Sequence, residues 1–371
     1  MNRIKLCAAI AVMTGSMAGN CRIPSHCAPT DLSCSLAAAF LFLPDRFPKN
    51  VFVSSTGGSV FAFSIGGNGT MTALGSVSIG AGLSVSTSDP LDRYLFMPAS
   101  AANLVNPLVV DSRTGALSSG TSLSVTDAQQ VAVTPDGSFL YATSSSGFFT
   151  AATQINRTQN SLNLIENESL GGASLIGVGV HPAGQTLVVT DAAAADRLVS
   201  YRINAGGDIT QLVALTVTAG SDPNTVTFMP SPGESYFVVP NKSNATLESY
   251  HLNTTTGVMT LISSISVPGN PIIARFVPRT STFFVTHVTN QVTRYVADLN
   301  TGVIAAAGSF TVGTQITAIH FDSSGRYAAL ADNSGGLVHL MRVNGDGTLT
   351  AASQMPVTGA TEAVVWSPYS L

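Results

Sequence analysis

Val131–Thr143, VAVTPDGSFLYAT, reads as a small hairpin. Val131 and Val133 alternate with Ala132 and Thr134, the period-two pattern of a strand. Pro135-Asp136-Gly137 makes the turn: proline presets φ, aspartate bonds its own backbone, and glycine accepts positive φ. Phe139-Leu140-Tyr141 opens a second strand too apolar to face water. The same hairpin recurs along the chain, so this stretch sets the fold.

The residue that opens the second strand of each hairpin falls at Lys49, Arg93, Ser138, Gln185, Ser235, Thr282 and Arg326, at spacings of 44 to 50 residues. A period in the forties with several short strands per unit is a propeller signal. The unit around His181 can be written out in full. Its inner strand is Ile176–Val180, its turn His181–Gly184, its second strand Leu187–Thr190 and its third Leu198–Ile203. A glycine-rich turn, Asn204–Asp208, leads to an outer strand over Leu212–Val217. Turns rich in Gly and Asn recur at the third-to-fourth place: Gly66–Gly69, Asp111–Gly115, Asn156–Asn160, Asn253–Gly257, Asp298–Gly302 and Asn344–Gly347. Seven units in phase predict an all-β chain, a single seven-bladed β-propeller of four-stranded blades over residues 49–371. Glu362–Ser367, EAVVWS, has the form of an inner strand, in phase with Ile316. It is expected to enter the first blade and close the ring, leaving no free inner edge. Leu36–Leu43 is the rival for that place.

Charged residues make up 10% of the chain, against roughly 25% in ordinary soluble domains. The polar surface is therefore mostly Ser, Thr, Asn and Gln. The formal charge is −4, and no basic stripe exists, which argues against nucleic acid as a partner. Residues 1–20 have the form of an export signal: Arg3 and Lys5, an apolar core over Leu6–Met13, then small residues from Ser16 to Gly19. Ser16-x-Ala18 suits ordinary signal cleavage. Ala18-Gly19-Asn20-Cys21 resembles a lipobox, departing from the common form at Ala18 and Asn20. All four cysteines precede residue 35. If Cys21 carries lipid and Cys7 leaves with the leader, Cys27 and Cys34 remain as an even pair able to form a disulfide. Residues 21–48, with Pro24, Pro29, Pro44 and Pro48, read as a tether. The expected location is the periplasm, the outer membrane or the cell surface, with a lipid anchor as the only membrane contact.

The repeats resemble the seven-bladed lactonase-type propellers, a family that includes 6-phosphogluconolactonase and the carboxy-muconate cyclising enzymes, with the Tyr-Val-Thr-Asn repeat propellers as cousins. The resemblance covers about residues 49–371. Its best local match is His181–Ile203, HPAGQTLVVTDAAAADRLVSYRI, where Asp191, Asp196, Arg197 and Tyr201 fall in places that match the family pattern. The polar groups associated with the family's activity depart from it. Gly171–Gly179 carries no histidine where the enzymes are His-rich. Pro-Arg-His is replaced by Pro223-Asn224-Thr225, Asn-Glu-Leu by Pro240-Asn241-Lys242, and Ser-Asn-Arg by Thr286-His287-Val288. The resemblance therefore implies a divergent bacterial lipoprotein member without catalysis.

In a propeller the inner strands line the axis and ligands sit at a mouth of it. The inner strands begin at Gln129, Gln130, Asn224, Asn270, Gln315 and Glu362. Gln130, Asn224, Asn270, Gln315 and Glu362 are the candidate ligand-binding residues. Amides hydrogen-bond but do not titrate, so the set suits binding better than proton transfer. The bland alternative is that they satisfy backbone groups at strand ends. Asp191, Asp196 and Arg197 are the candidate catalytic cluster, and their bland role is to hold a loop. The six histidines have no partner at metal spacing, so no metal and no cofactor is expected. The composite expectation is an exported cell-envelope module, monomeric, that binds or scaffolds a protein, small-molecule or carbohydrate partner at the propeller mouth. A lactone hydrolase is the alternative, and a structural subunit of an envelope complex is a third class.

Overall fold

The computed structural model describes residues 49–90, 93–193, 196–212, 217–218, 220–231 and 235–366. The leader, Cys21, Cys27, Cys34 and the rival strand Leu36–Leu43 lie outside the described residues. Among the described residues there is no α-helix. Seven antiparallel sheets are present, six of them ordered in sequence from inner to outer strand and one, blade 1, taking its inner strand from the C-terminal end. They are numbered here as blades 1 to 7 in chain order.

The quoted hairpin forms as its residues dictate. Ala128–Val133 is the inner strand of blade 3 and Phe139–Ser144 its second strand. The Thr134 N–H bonds the Phe139 carbonyl at 2.9 Å, and Gly137, at φ 70°, donates to the Thr134 carbonyl. The second strands are the most deeply buried. All six residues of Tyr94–Ala99, Thr186–Asp191, Tyr236–Asn241 and Tyr327–Asp332 are buried. A strand with a sheet against each face reads as a continuous apolar run, not as an alternation.

The two faces of each second strand feed two different cores. Val51 and Val53 of blade 1 pack with Ala329 and Leu340 of blade 7, whereas Phe52 packs with Leu95 and Leu108 of blade 2. Tyr94 and Phe96 turn the other way, towards Leu140 and Ala151 of blade 3. Tyr141 faces Leu187 and Val199 of blade 4, and Val188 faces Phe237 and Tyr250 of blade 5. The alternation continues through Val238 with Phe283 and Phe284 with Leu330. The protein therefore has seven cores, one between each pair of neighbouring blades, in place of one centre. Each fully buried large side chain contributes roughly 1.5–3 kcal/mol.

The ring closes as the phase predicts. Ala360–Trp366 pairs antiparallel with Lys49–Ser55, from Asn50 opposite Trp366 to Ser54 opposite Glu362. The C-terminal strand thus holds the inner place of blade 1, ahead of Lys49–Ser55, Ser59–Ile65 and Met71–Ser78.

The outer strands share one irregularity. In blades 1, 3, 5, 6 and 7 a bulge leaves one outer-strand residue unpaired: Leu74, Ile165, Ile262, Ala307 and Ala352. In blade 2 the outer strand is broken in two, as Leu117–Ser119 with Leu123–Ser124, and in blade 4 Ile209–Gln211 and Val217–Thr218 both pair with Arg197–Ile203. Of the expected strand Leu212–Val217, residues 213–216 lie outside the described residues, Val217 is in a strand, and outer-strand pairing begins earlier than expected. The Asn204–Asp208 turn closes on itself, with the Asn204 N–H on the Asp208 carbonyl, so pairing starts at Ile209.

Candidate functional site

Antiparallel order places the second-to-third turns and the starts of the inner strands at one end of every blade. The candidate catalytic and ligand-binding residues Asp191, Asp196, Arg197, Gln130, Asn224, Asn270, Gln315 and Glu362 lie at that mouth. The final residue of each second strand holds an equivalent place around it: Ser55, Ala99, Ser144, Asp191, Asn241, His287 and Asp332.

In blades 3, 4 and 7 the buried polar side chain at this place, Ser144, Asp191 or Asp332, ties down the loop entering its own blade. Asp191 is fully buried. Its Oδ1 accepts from the N–H of Ser174 at 2.7 Å and of Ala193 at 3.0 Å, and its Oδ2 accepts from Nε of Arg197 at 2.7 Å. The two residues face each other across the hairpin as a register pair, which is why they meet. Asp332 repeats the arrangement in blade 7. It accepts from the N–H groups of Thr314, Gln315 and Gly335 at 2.9, 2.9 and 3.0 Å, and lies 3.4 Å from Nε2 of His339. Burial alone would raise its pKa. The hydrogen bonds from Gln315, Gly335, Thr314 and His339 outweigh that and hold it below the usual carboxylate range. His287 puts Nε2 3.0 Å from Thr293 Oγ1, while its buried Nδ1 has no partner. Burial pushes the His287 pKa down to about 4.

Asp196 does not join Asp191 on Arg197. It sits in the turn at φ 43° and accepts from the N–H of Asp222 at 2.8 Å, linking blade 4 to the loop before blade 5.

The predicted amides divide. Gln130 is buried, and its Oε1 accepts from the N–H of Val178 at 3.2 Å, bridging the inner strands of blades 3 and 4. Gln315 accepts at Oε1 from Ser334 Oγ at 2.7 Å. Asn224 contributes its carbonyl, which takes the Thr190 hydroxyl at 2.8 Å. Only Asn270 is exposed among these four. Such hydroxyl bonds onto the next blade's inner strand recur, from Thr143 of the second strand of blade 3 to the Ile176 carbonyl and from Thr227 of the inner strand of blade 5 to the Ala274 carbonyl. At the junction of blades 4 and 5 the approach is close: a Cβ on Gly177 would lie 2.0 Å from the Asn224 carbonyl oxygen.

Glu362 does not stand alone among amides, as the sequence suggested. The residue whose N–H closes each inner hairpin is Asp89, Thr134, His181, Met229, Val277 or Asp322. The residue two places before it is Thr87, Ala132, Gly179, Thr227, Arg275 or His320. The last two are the exceptions in a ring of small neutral groups, and they occupy adjacent inner strands, Pro271–Phe276 and Ile316–Phe321. Both keep partial exposure, which at an innermost strand means the channel. Burial works against the Arg275 charge, and the Glu362 carboxylate works for it. Burial, then the Arg275 charge, push the His320 pKa down to about 3, so its ring is neutral. The buried His320 Nδ1 has no hydrogen-bond partner. The sequence carries a signal for this cluster, but it is the register counted back from the turn and not the strand starts.

Among the described residues no group of three or more His, Cys, Asp or Glu side chains is placed to hold a metal ion. Among the described residues the mouth offers a frame of largely hydrogen-bonded side chains above a channel that holds the Arg275 guanidinium, the Glu362 carboxylate and the neutral His320 imidazole.

Comparison with known structures gives the same ring. The periplasmic gluconolactonase of Pseudomonas aeruginosa matches with a TM-score of 0.75 at 15% identity, covering 87% of this chain and all of that one, 100%. A Bacteroides fragilis protein provisionally named a 6-phosphogluconolactonase matches with a TM-score of 0.74 at 14% identity, covering 86% and 98%. A Lactobacillus plantarum protein matches with a TM-score of 0.72 at 14% identity, covering 86% and 99%. These likenesses establish the fold. No curated protein sequence matches the chain significantly. A family model matches residues 97–225 and 239–363, which is more than half of the chain and spans blades 2 to 7 together with the closing strand, and the chain therefore belongs to the lactonase, seven-bladed β-propeller family.

Proposed function

We propose that the protein is an exported binding or scaffold module of the cell envelope, built on a lactonase-type ring, that receives a partner or small polar ligand at the channel mouth without turning it over. The observation that carries this reading is how the mouth uses its acids. Asp191 and Asp332 are committed to backbone N–H groups and to Arg197 or His339. A general base needs a lone pair aimed at water and a pKa near the working pH. His287 and His320 have free nitrogens, but burial makes both weak bases. Export rests on the form of residues 1–20, and the periplasmic naming of the Pseudomonas aeruginosa relative supports it. Cys21 is the lipid attachment point of this reading.

The test is hydrolysis of 6-phosphogluconolactone and simple γ-lactones by the purified protein, beside a thermal-shift screen of sugar acids. We expect turnover at the spontaneous rate and a stabilising ligand among the acids. Robust turnover removed by Asp191→Asn, Arg197→Ala or Arg275→Ala would replace this reading with lactone hydrolysis. That second reading draws on Arg275 beside Glu362, because a guanidinium in a desolvated channel can hold a developing oxyanion.

A further inference from the structure

The first-to-second and third-to-fourth turns lie at the end of the blades opposite the mouth. There a groove of about 650 Å³ runs between the Thr134–Phe139 hairpin of blade 3, both lower turns of blade 4, and Thr254-Thr255 of blade 5. A second lobe of about 360 Å³ continues along blade 4 to Thr210 and Leu212, and shares Arg202, Asn204 and Thr255 with the first. Two lobes joined at Arg202, Asn204 and Thr255 give a divided groove with room for more than one unit of a chain-like ligand.

The lining has a definite chemistry. Asp136 is the acid on its wall, and Thr134 Oγ1 and Ser138 hold its carboxylate at 2.5 to 3.1 Å, so it is already occupied. Arg202 is exposed and donates one bond, from Nη2 to the Thr255 carbonyl at 3.1 Å, leaving the other edge of its fork towards the groove. The Gln185 side-chain amide and the Thr255 hydroxyl are exposed and make no hydrogen bond among the described residues. Phe139 and Pro135 supply apolar surface on the same wall. Amide and hydroxyl groups both donate and accept, as sugar hydroxyls do. A guanidinium fork spans two adjacent hydroxyls, and an aromatic or proline face suits the C–H side of a pyranose ring. One exposed cation, with Asp208 on the neighbouring turn bonded to Asn204, is a poor match for a polyanion.

We propose that this groove is a glycan-binding site that takes a chain of neutral sugars, separate from the channel mouth and on the other face of the ring. It does not rest on the function proposed above.

The test is isothermal calorimetry of the full chain with cellohexaose, maltohexaose and chitohexaose, and with hexagalacturonate as the acidic counterpart. One of the neutral hexasaccharides should bind. Arg202→Ala should weaken it about tenfold, the scale of one hydrogen bond to a charged group, and Gln185→Ala should weaken it measurably. Both side chains are exposed, so the melting temperature should stay within about 1 °C of the parent. Absence of binding by all three neutral chains would overturn the proposal. So would neutral-chain binding that both variants retain, or preferential binding of hexagalacturonate that salt abolishes.

Discussion

Two buried imidazoles should make the ring acid-sensitive well above the carboxylate range. His287 and His320 titrate near pH 4 and 3 in the folded protein, driven first by burial, against about 6.5 in an unfolded chain. The unfolded chain therefore takes up these protons first. Their contribution to stability is complete above about pH 6.5 and is lost as pH falls towards the folded values. At pH 5 each imidazole should cost about 2 kcal/mol, and the pair about 4 kcal/mol, relative to pH 8. Burial shifts His181 in the same direction and adds to the slope. Asp111, Asp136, Asp298, Asp332 and Asp346 are held below their usual range, so their losses come at lower pH, whereas Glu168, raised by burial and by Glu166, acts in the opposite direction, and the histidines carry the loss from pH 6.5 to 5. The assay is urea unfolding at half-unit steps from pH 8 to 5, with His287→Gln and His320→Gln measured in parallel. Each variant should lose about half of the slope. A stability that changes by less than about 1 kcal/mol across this window, or a slope that both variants retain, would show that these rings are not buried neutral.

Gly177→Ala should destabilise by about 3 kcal/mol, the upper end for overpacking, because the new Cβ meets a backbone carbonyl of the next blade, whereas Gly171→Ala, with open space around it, should change little in the same melts. Deleting residues 360–371 removes the inner partner of Lys49–Ser55. The melting midpoint should fall by roughly 10 °C or more, and a truncated chain that melts like the parent would refute closure by this strand. Fatty-acid labelling of the protein in its host should mark it, and Cys21→Ser should abolish the label. Label that survives the substitution would end the lipid-anchor reading.

The ring was readable because each blade repeats one local instruction. A turn such as Pro135-Asp136-Gly137 fixes the hairpin, and a continuous apolar strand such as Thr186–Asp191 can be stable only between two sheets. The Asp191–Arg197 pair was readable for the same reason: six residues apart on a tight hairpin, they fall opposite each other. The amides were less readable. Gln130 and Gln315 have the chemistry of ligand contacts, and only the fold decides that Val178 and Ser334 take up their oxygens. Arg275 and His320 escaped notice because their proximity comes from blade-to-blade register. They lie 45 residues apart in sequence and share a channel only after the ring closes.

The irregular outer strands bear on solubility. A propeller presents seven outermost strands whose N–H and C=O groups could pair with another molecule's strand, and proteins usually blunt such edges with charge. Here the outer strands carry only Glu166 and Glu168 as charged residues. The bulges and breaks take the place of charge. In blade 1 the longest regular edge is Gly75–Ser78 on one side of Leu74 and Met71–Ala73 on the other, too short and too kinked for a stable intermolecular ladder. A rim of Ser, Thr, Ala and aliphatic side chains is thus guarded against edge-to-edge pairing chiefly by backbone shape.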